Sequence, residues 1–95
     1  MECRFKYKVP GGKLLEAIVM HDGVSIESVR ITGDFFLYPE EKLEAIEKSL
    51  LGIQIGIAEK EISAIIAEVA SREGIEMIGI SPDAIAAAIK SAVNG

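Results

Sequence analysis

The sequence holds one cysteine, one histidine, no tryptophan, three phenylalanines and two tyrosines among 95 residues. Each scarcity excludes something. A single Cys3 cannot close an internal disulfide, which fits a reducing compartment. With no neighbouring histidine in the sequence to activate it, Cys3 reads as an inert thiol. Without a Cys/His cluster there is no zinc-type site. His21 precedes an Asp-Gly turn signal and reads as a surface residue of that turn, so no Ser-His-Asp set can be assembled around it. No apolar run approaches the roughly 20 residues needed to span a membrane. Met1 is followed by a charged segment rather than the apolar core of a signal peptide, so a cytoplasmic location is expected. Bases are also scarce: ten Lys and Arg against fifteen Asp and Glu give a net charge of −5. Nucleic acid is therefore not expected as a partner, because phosphate neutralisation needs clustered bases.

The chain does have apolar content, at 49% hydrophobic residues. That suits one globular domain spanning residues 1–95, able to bury roughly 60–70% of its unfolded surface. The charge is uneven. Residues 1–13 carry Arg4, Lys6, Lys8 and Lys13 against Glu2, or +3; the rest carries six bases against fourteen acids, or −8. The basic end reads either as a solvated strand face or as a small patch that meets an anion or a partner.

Periodicity predicts the elements. Cys3, Phe5, Tyr7 and Val9 alternate with Arg4, Lys6 and Lys8, a half-buried strand. Pro10-Gly11-Gly12 ends it. Residues 13–20 (KLLEAIVM) read as a second strand, and Asp22-Gly23 as a hairpin turn. Residues 24–32 read as a third strand whose apolar phase changes midway; a bulge near Ser28 would bring Val24, Ile26, Val29 and Ile31 onto one face. Pro39, Glu40 and Glu41 then open a helix with Leu43, Ile46 and Leu50 on one stripe and Gly52 beyond it. Residues 53–57 (IQIGI) give no firm assignment. Residues 59–73 form a helix with Ile62, Ile65, Ile66 and Val69 on one face and Gly74 after it. Residues 75–80 read as an apolar connector, and Ser81-Pro82-Asp83 caps a last helix carrying Ile85, Ala88, Ile89, Ala92 and Val93, with Asn94-Gly95 as its stop. The predicted class is α+β: a three-stranded antiparallel sheet with about three helices packed on one face.

Catalytic chemistry is missing from this pattern. Pro10-Gly11-Gly12-Lys13 joins two strands, whereas a nucleotide loop follows a strand and opens a helix. Glu40, Glu41, Glu44 and Glu47 are spread by helical spacing around a solvated face, not gathered for Ca²⁺. No catalytic and no metal-ligating residue is expected. The exception to a purely structural reading is Gly33-Asp34-Phe35-Phe36. Gly33 can end the strand and Asp34 can accept turn amides. Adjacent side chains on extended backbone point opposite ways, so one phenylalanine can enter the core while the other faces out.

These residues carry a resemblance. Lys8, then Gly11-Gly12-Lys13, then Ile31, Gly33-Asp34-Phe35-Phe36 and Pro39, then Leu43, Ile46-Glu47, Leu50 and Gly52 look like the small C-terminal accessory domain of lipoate–protein ligases. The likeness covers about residues 6–52 and is nearest to the separately encoded small subunit of a bipartite ligase; residues 53–95 match loosely. It implies a non-catalytic small subunit that docks on a large catalytic subunit and is required for ATP-dependent activation of lipoate to lipoyl-adenylate during protein lipoylation. ATP, Mg²⁺ and lipoate would bind in the complex and none of them to this chain alone. The lipoyl acceptor domain would be an indirect partner. Gly33, Asp34, Phe35, Phe36, Lys8, Gly11, Gly12 and Lys13 become candidates for the partner interface or for closing the active site, with Arg4 a further cation. The alternative is a stand-alone protein-interaction module, such as a homodimer, without a ligase role.

Overall fold

Alternation builds the main sheet, β1 (Glu2–Lys8), β2 (Leu14–His21) and β3 (Ile26–Gly33), antiparallel in the order β1-β2-β3. The computed structural model describes residues 1–9 and 11–94 of the chain. Pro10 and Gly95, read above as parts of a turn and a helix stop, lie outside the described residues. Leu15, Ala17 and Val19 of β2 are fully buried, while the alternate residues face away from the core. Cys3, Phe5, Tyr7 and Val9 pack half-buried beside them.

The expected irregularity in β3 is present. Met20 pairs with Ser28 but His21 pairs with Ile26, so the register slips across Glu27. The extra residue reverses the alternation and lets Ile26, Val29 and Ile31 all enter the core. Val24 does not join them; it lies before the strand and is exposed. The IQIGI segment runs antiparallel to the start of β3: the Ile26 amide donates to Ile53 O at 2.8 Å and the Ile55 amide to Val24 O at 2.9 Å.

After Pro39, a 3-10 turn (Glu40–Lys42) leads into α1 (Leu43–Ser49); the Tyr38–Pro39 bond is cis. α2 (Glu59–Glu73) buries Ile62, Ile66 and Val69, with Ile65 half-buried at the edge of that stripe. Gly74 caps it in the left-handed conformation at φ 67, where a side chain would be strained. α3 (Pro82–Asn94) opens with Ser81 Oγ accepting the Ala84 amide at 3.1 Å. The Ser63 hydroxyl donates to the Asp83 carboxylate and ties α2 to α3. α3 packs against β1, β2 and α2, burying Ala84, Ile85, Ala88, Ile89 and Ala92. α1 lies on β3 and against α2. Each fully buried Leu or Ile contributes about 1.5–3 kcal/mol of transfer free energy.

Three readings need correction. Residues 75–80 are more than a connector: β5 (Glu76–Ile78) pairs antiparallel with β4 (Phe36–Tyr38) as a separate two-stranded ribbon. Strands of three residues are too short to leave a periodic trace, and these lie about 40 positions apart. His21 is not a surface residue but 4% exposed, because it continues the buried phase of Leu15, Ala17 and Val19. It also stands beside Cys3, with Nε2 3.4 Å from Sγ. Nδ1 accepts the Gly23 amide at 3.0 Å, which leaves the ring proton on Nε2. Both ring nitrogens therefore have partners, and the pair is a satisfied structural contact. Finally, Glu47 is not on the solvated face. Its Oε2 accepts the Ile31 amide at 2.8 Å, capping a donor on the outer edge of β3.

Candidate functional site

The two segments singled out in the sequence meet at one end of the molecule. Lys8 pairs with Leu14 at the last rung of the β1–β2 hairpin, and Val9 and Lys13 close the turn, the Val9 amide donating to Lys13 O at 3.1 Å. The Gly12 amide donates to Val9 O at 2.8 Å. Gly12 also lies under Gly79: a Cβ there would sit 3.0 Å from Gly79 O and 3.2 Å from Val9 Cβ. Gly11 is exposed at the tip.

Asp34 clamps the second segment to the first. Its Oδ1 accepts the Leu14 amide at 2.8 Å, and its own amide donates to Leu14 O at 3.2 Å. Gly33 permits this approach, because a Cβ there would lie 2.2 Å from Leu14 O. The carboxylate is thus a side-chain extension of the β2–β3 ladder and turns the chain out of the sheet toward β4.

The two phenylalanines then separate. Phe35 is half-buried and packs against the core. With Ile31, Thr32, Gly33, Leu37, Glu40 and Leu43 it lines a shallow groove. Phe36 is 63% exposed and heads β4. It stands opposite Ile78, with Tyr38 two residues on and opposite Glu76. Phe36, Tyr38 and Ile78 are all exposed on the same face of the ribbon, while Leu37 on the other face is buried. Sequence reasoning missed Tyr38, Ile78 and Gly79. The alternation in Phe36-Leu37-Tyr38 was the available signal, but the proline-led helix masked it.

Lys8 and Lys13 are exposed at this hairpin end and, among the described residues, have no ion-pair partner. Lys13 borders the ribbon directly, with its Cγ against Gly79. Arg4 does not belong to the cluster. It pairs with Glu2 at 3.1 Å and lies four residues up β1 from Lys8, about 13 Å along the strand. The arrangement offers an apolar surface edged by two cations. No cluster of three or more His, Cys, Asp or Glu able to hold a metal occurs among the described residues.

No family model matches the chain, and no curated protein matches it. A solved structure does. The chain is similar to one chain of an archaeal lipoylation system from Thermoplasma acidophilum, a bi-partite lipoate protein ligase and its E2 lipoyl domain. The TM-score is 0.69 at 27% identity, over 94% of this chain and 92% of that one. Coverage of both chains is nearly complete, so the two are close to equal in length.

Proposed function

We propose that this chain is the small, non-catalytic subunit of a bipartite lipoate–protein ligase. It docks on a large catalytic subunit and supports the step in which lipoate and ATP become lipoyl-adenylate and pyrophosphate. The observation that carries this reading is the end-to-end similarity to a chain of comparable size from a bi-partite ligase system. The sequence likeness over residues 6–52 agrees with it, and two of its segments, Gly12-Lys13 and Gly33-Asp34-Phe35-Phe36, meet at one end of the sheet.

The physical role follows from that end. Phe36, Tyr38 and Ile78 provide apolar area for a lasting contact with another subunit. Lys8 and Lys13 bring positive charge to the edge of the contact. Forming an acyl-phosphate anhydride joins two anions, so it gains from nearby cations and from exclusion of water. ATP, Mg²⁺ and lipoate would be held by the large subunit.

Mixing the chain with a catalytic subunit that lacks its own accessory domain, then assaying lipoate-dependent release of pyrophosphate, tests the proposal. Stimulation by this chain is expected. If the catalytic subunit is equally active alone and the chain sediments as a homodimer, the interaction-module reading replaces it.

A further inference from the structure

The helices cover one face of the β1-β2-β3 sheet; the other is open. That open face carries Arg4, Lys6 and Lys8 on β1 and Arg30 on β3, against the acids Glu2 and Glu16 and, at the bulge, Glu27. Its net charge is +1, while the remaining six bases and twelve acids leave the rest of the chain at −6. The cations are ordered, not scattered. Arg4 pairs with Ile18 and Ile18 with Arg30, so two guanidinium groups flank one aliphatic side chain across three strands. Their Cα atoms stand roughly 10 Å apart at the usual strand spacing. Met20, 40% exposed, extends the apolar centre beside Ile18, and Glu2 and Ser28 close a shallow depression between the arginines. Among the described residues, Lys6, Lys8 and Arg30 have no ion-pair partner, while Arg4 is paired with Glu2 at 3.1 Å, a surface pair that an arriving carboxylate would exchange.

We infer that this open sheet face docks an acidic patch on the protein that accepts the lipoyl group. The inference rests on the proposed ligase role. The partner surface would place carboxylates against Arg4 and Arg30 and an apolar side chain over Ile18 and Met20. Charge complementarity selects this occupant. Guanidinium forks match carboxylates in pairs. Nucleic acid is disfavoured, because the face offers no stacking ring: Phe5 and Tyr7 point to the helix side. A second copy is disfavoured, because face-to-face contact would oppose like charges. The catalytic subunit fits the apolar ribbon better, since permanent interfaces are apolar, whereas an acceptor must arrive and leave at every turnover. A charged face speeds that arrival and releases easily. The face also continues to the Lys8–Leu14 rung, next to the candidate docking end.

The test uses the reconstituted two-subunit ligase with its apo acceptor domain and the Arg4→Glu/Arg30→Glu variant of this chain. Both arginines are exposed, and a melting curve checks that the variant folds. The expected result is a KM for acceptor raised at least about tenfold at low salt, equivalent to about 1.4 kcal/mol. Adenylate formation without acceptor should be unchanged. The wild-type KM should rise with ionic strength, whereas the variant's, its face now negative, should fall as salt screens the repulsion. An unchanged KM overturns the inference, as does loss of adenylate formation, which would assign the face to the catalytic subunit. A dimer of the isolated chain broken by the variant would assign it to self-association and also overturns it. Failure of the ligase reading is distinct: there, the wild-type chain itself would not stimulate adenylate formation.

Discussion

Asp34, Gly33 and the two phenylalanines divide structural and surface work within four residues. Truncating Phe36 removes a ring that is mostly in solvent, so Phe36→Ala should leave stability within about 0.5 kcal/mol of wild type. It should nevertheless weaken association with the catalytic subunit, as read by isothermal titration. Phe35→Ala removes a half-buried ring and should cost about 2 kcal/mol, somewhat below the range for fully buried phenylalanines. Equal loss of stability in both variants would mean that the pair is wholly structural. Gly33→Ala should be worse than either surface change. Its Cβ would meet Leu14 O at 2.2 Å, and the ladder bonds that Asp34 makes to Leu14 would open. A cost of about 2–3 kcal/mol is expected, a drop in Tm of roughly 8–20 °C for a domain this small. At the other end of β2, Asp22 Oδ1 accepts the amides of Ser25 at 2.8 Å and Val24 at 2.9 Å. These bonds hold its carboxyl below the ordinary carboxylate value, the Ser25 amide contributing most. A pKa depressed on folding stabilises above the unfolded value and loses that effect as pH falls through the folded one. Asp22→Ala should therefore lower stability at neutral pH, with the difference from wild type shrinking below about pH 4. A difference that stays constant down to pH 2 would contradict it.

At the scale of elements, the least expected link joins α1 to the sheet. Glu47 sends its carboxylate to the amide of Ile31, supplying the partner that a fourth strand would otherwise give. Glu47→Ala should cost about 1.5–3 kcal/mol and Glu47→Gln less, since the amide oxygen still accepts. Hydrogen exchange at Ile31 should rise in the first variant, and an unchanged rate would show the amide to be protected by other means. This link also marks where sequence reading stops. The strands of the main sheet, a bulge in β3 (expected near Ser28 and found at Glu27) and the helix ending at Gly74 were legible, because each is written in local alternation, in a phase change or in a cap. The Glu47 contact was not, because helical spacing alone placed that residue among Glu40, Glu41 and Glu44 on a wet face. The β4–β5 ribbon was illegible for a related reason: each strand is three residues long, and pairing joins Phe36 to Ile78 across 42 positions. His21 was a misreading of available signal. Its turn-side position outweighed the period-two phase that carries Leu15, Ala17 and Val19 inward. The candidate site was half legible. Gly33-Asp34-Phe35-Phe36 and Gly12-Lys13 stood out, whereas Tyr38 and Ile78 needed the ribbon.

Across the whole molecule, the apolar ribbon and the basic sheet face adjoin at the Lys8–Leu14 rung but differ in chemistry, and under the proposed ligase role they suggest separate contributions to the two half-reactions. Activation needs two anions brought together in a dry site, so it should depend on closure by this chain. Transfer begins from an adenylate already made, and the acceptor's lysine amine attacks its carbonyl with departure of AMP. The catalytic subunit alone should therefore form lipoyl-adenylate slowly, with this chain raising the single-turnover rate on the order of a hundredfold, the scale of one well-placed electrostatic contribution. Supplied lipoyl-adenylate should be consumed by the catalytic subunit without this chain at saturating acceptor, while the KM for acceptor falls when the chain is added. Lys8→Ala/Lys13→Ala should reduce the first rate and spare transfer at saturating acceptor, because these cations edge the docking end. Arg4→Glu/Arg30→Glu should do the reverse, sparing activation and raising the acceptor KM. Quenched-flow measurement of each half-reaction separates the two. If both double variants impair activation alike, the two surfaces act as one continuous interface with the catalytic subunit, and the division of labour between ribbon and sheet is wrong.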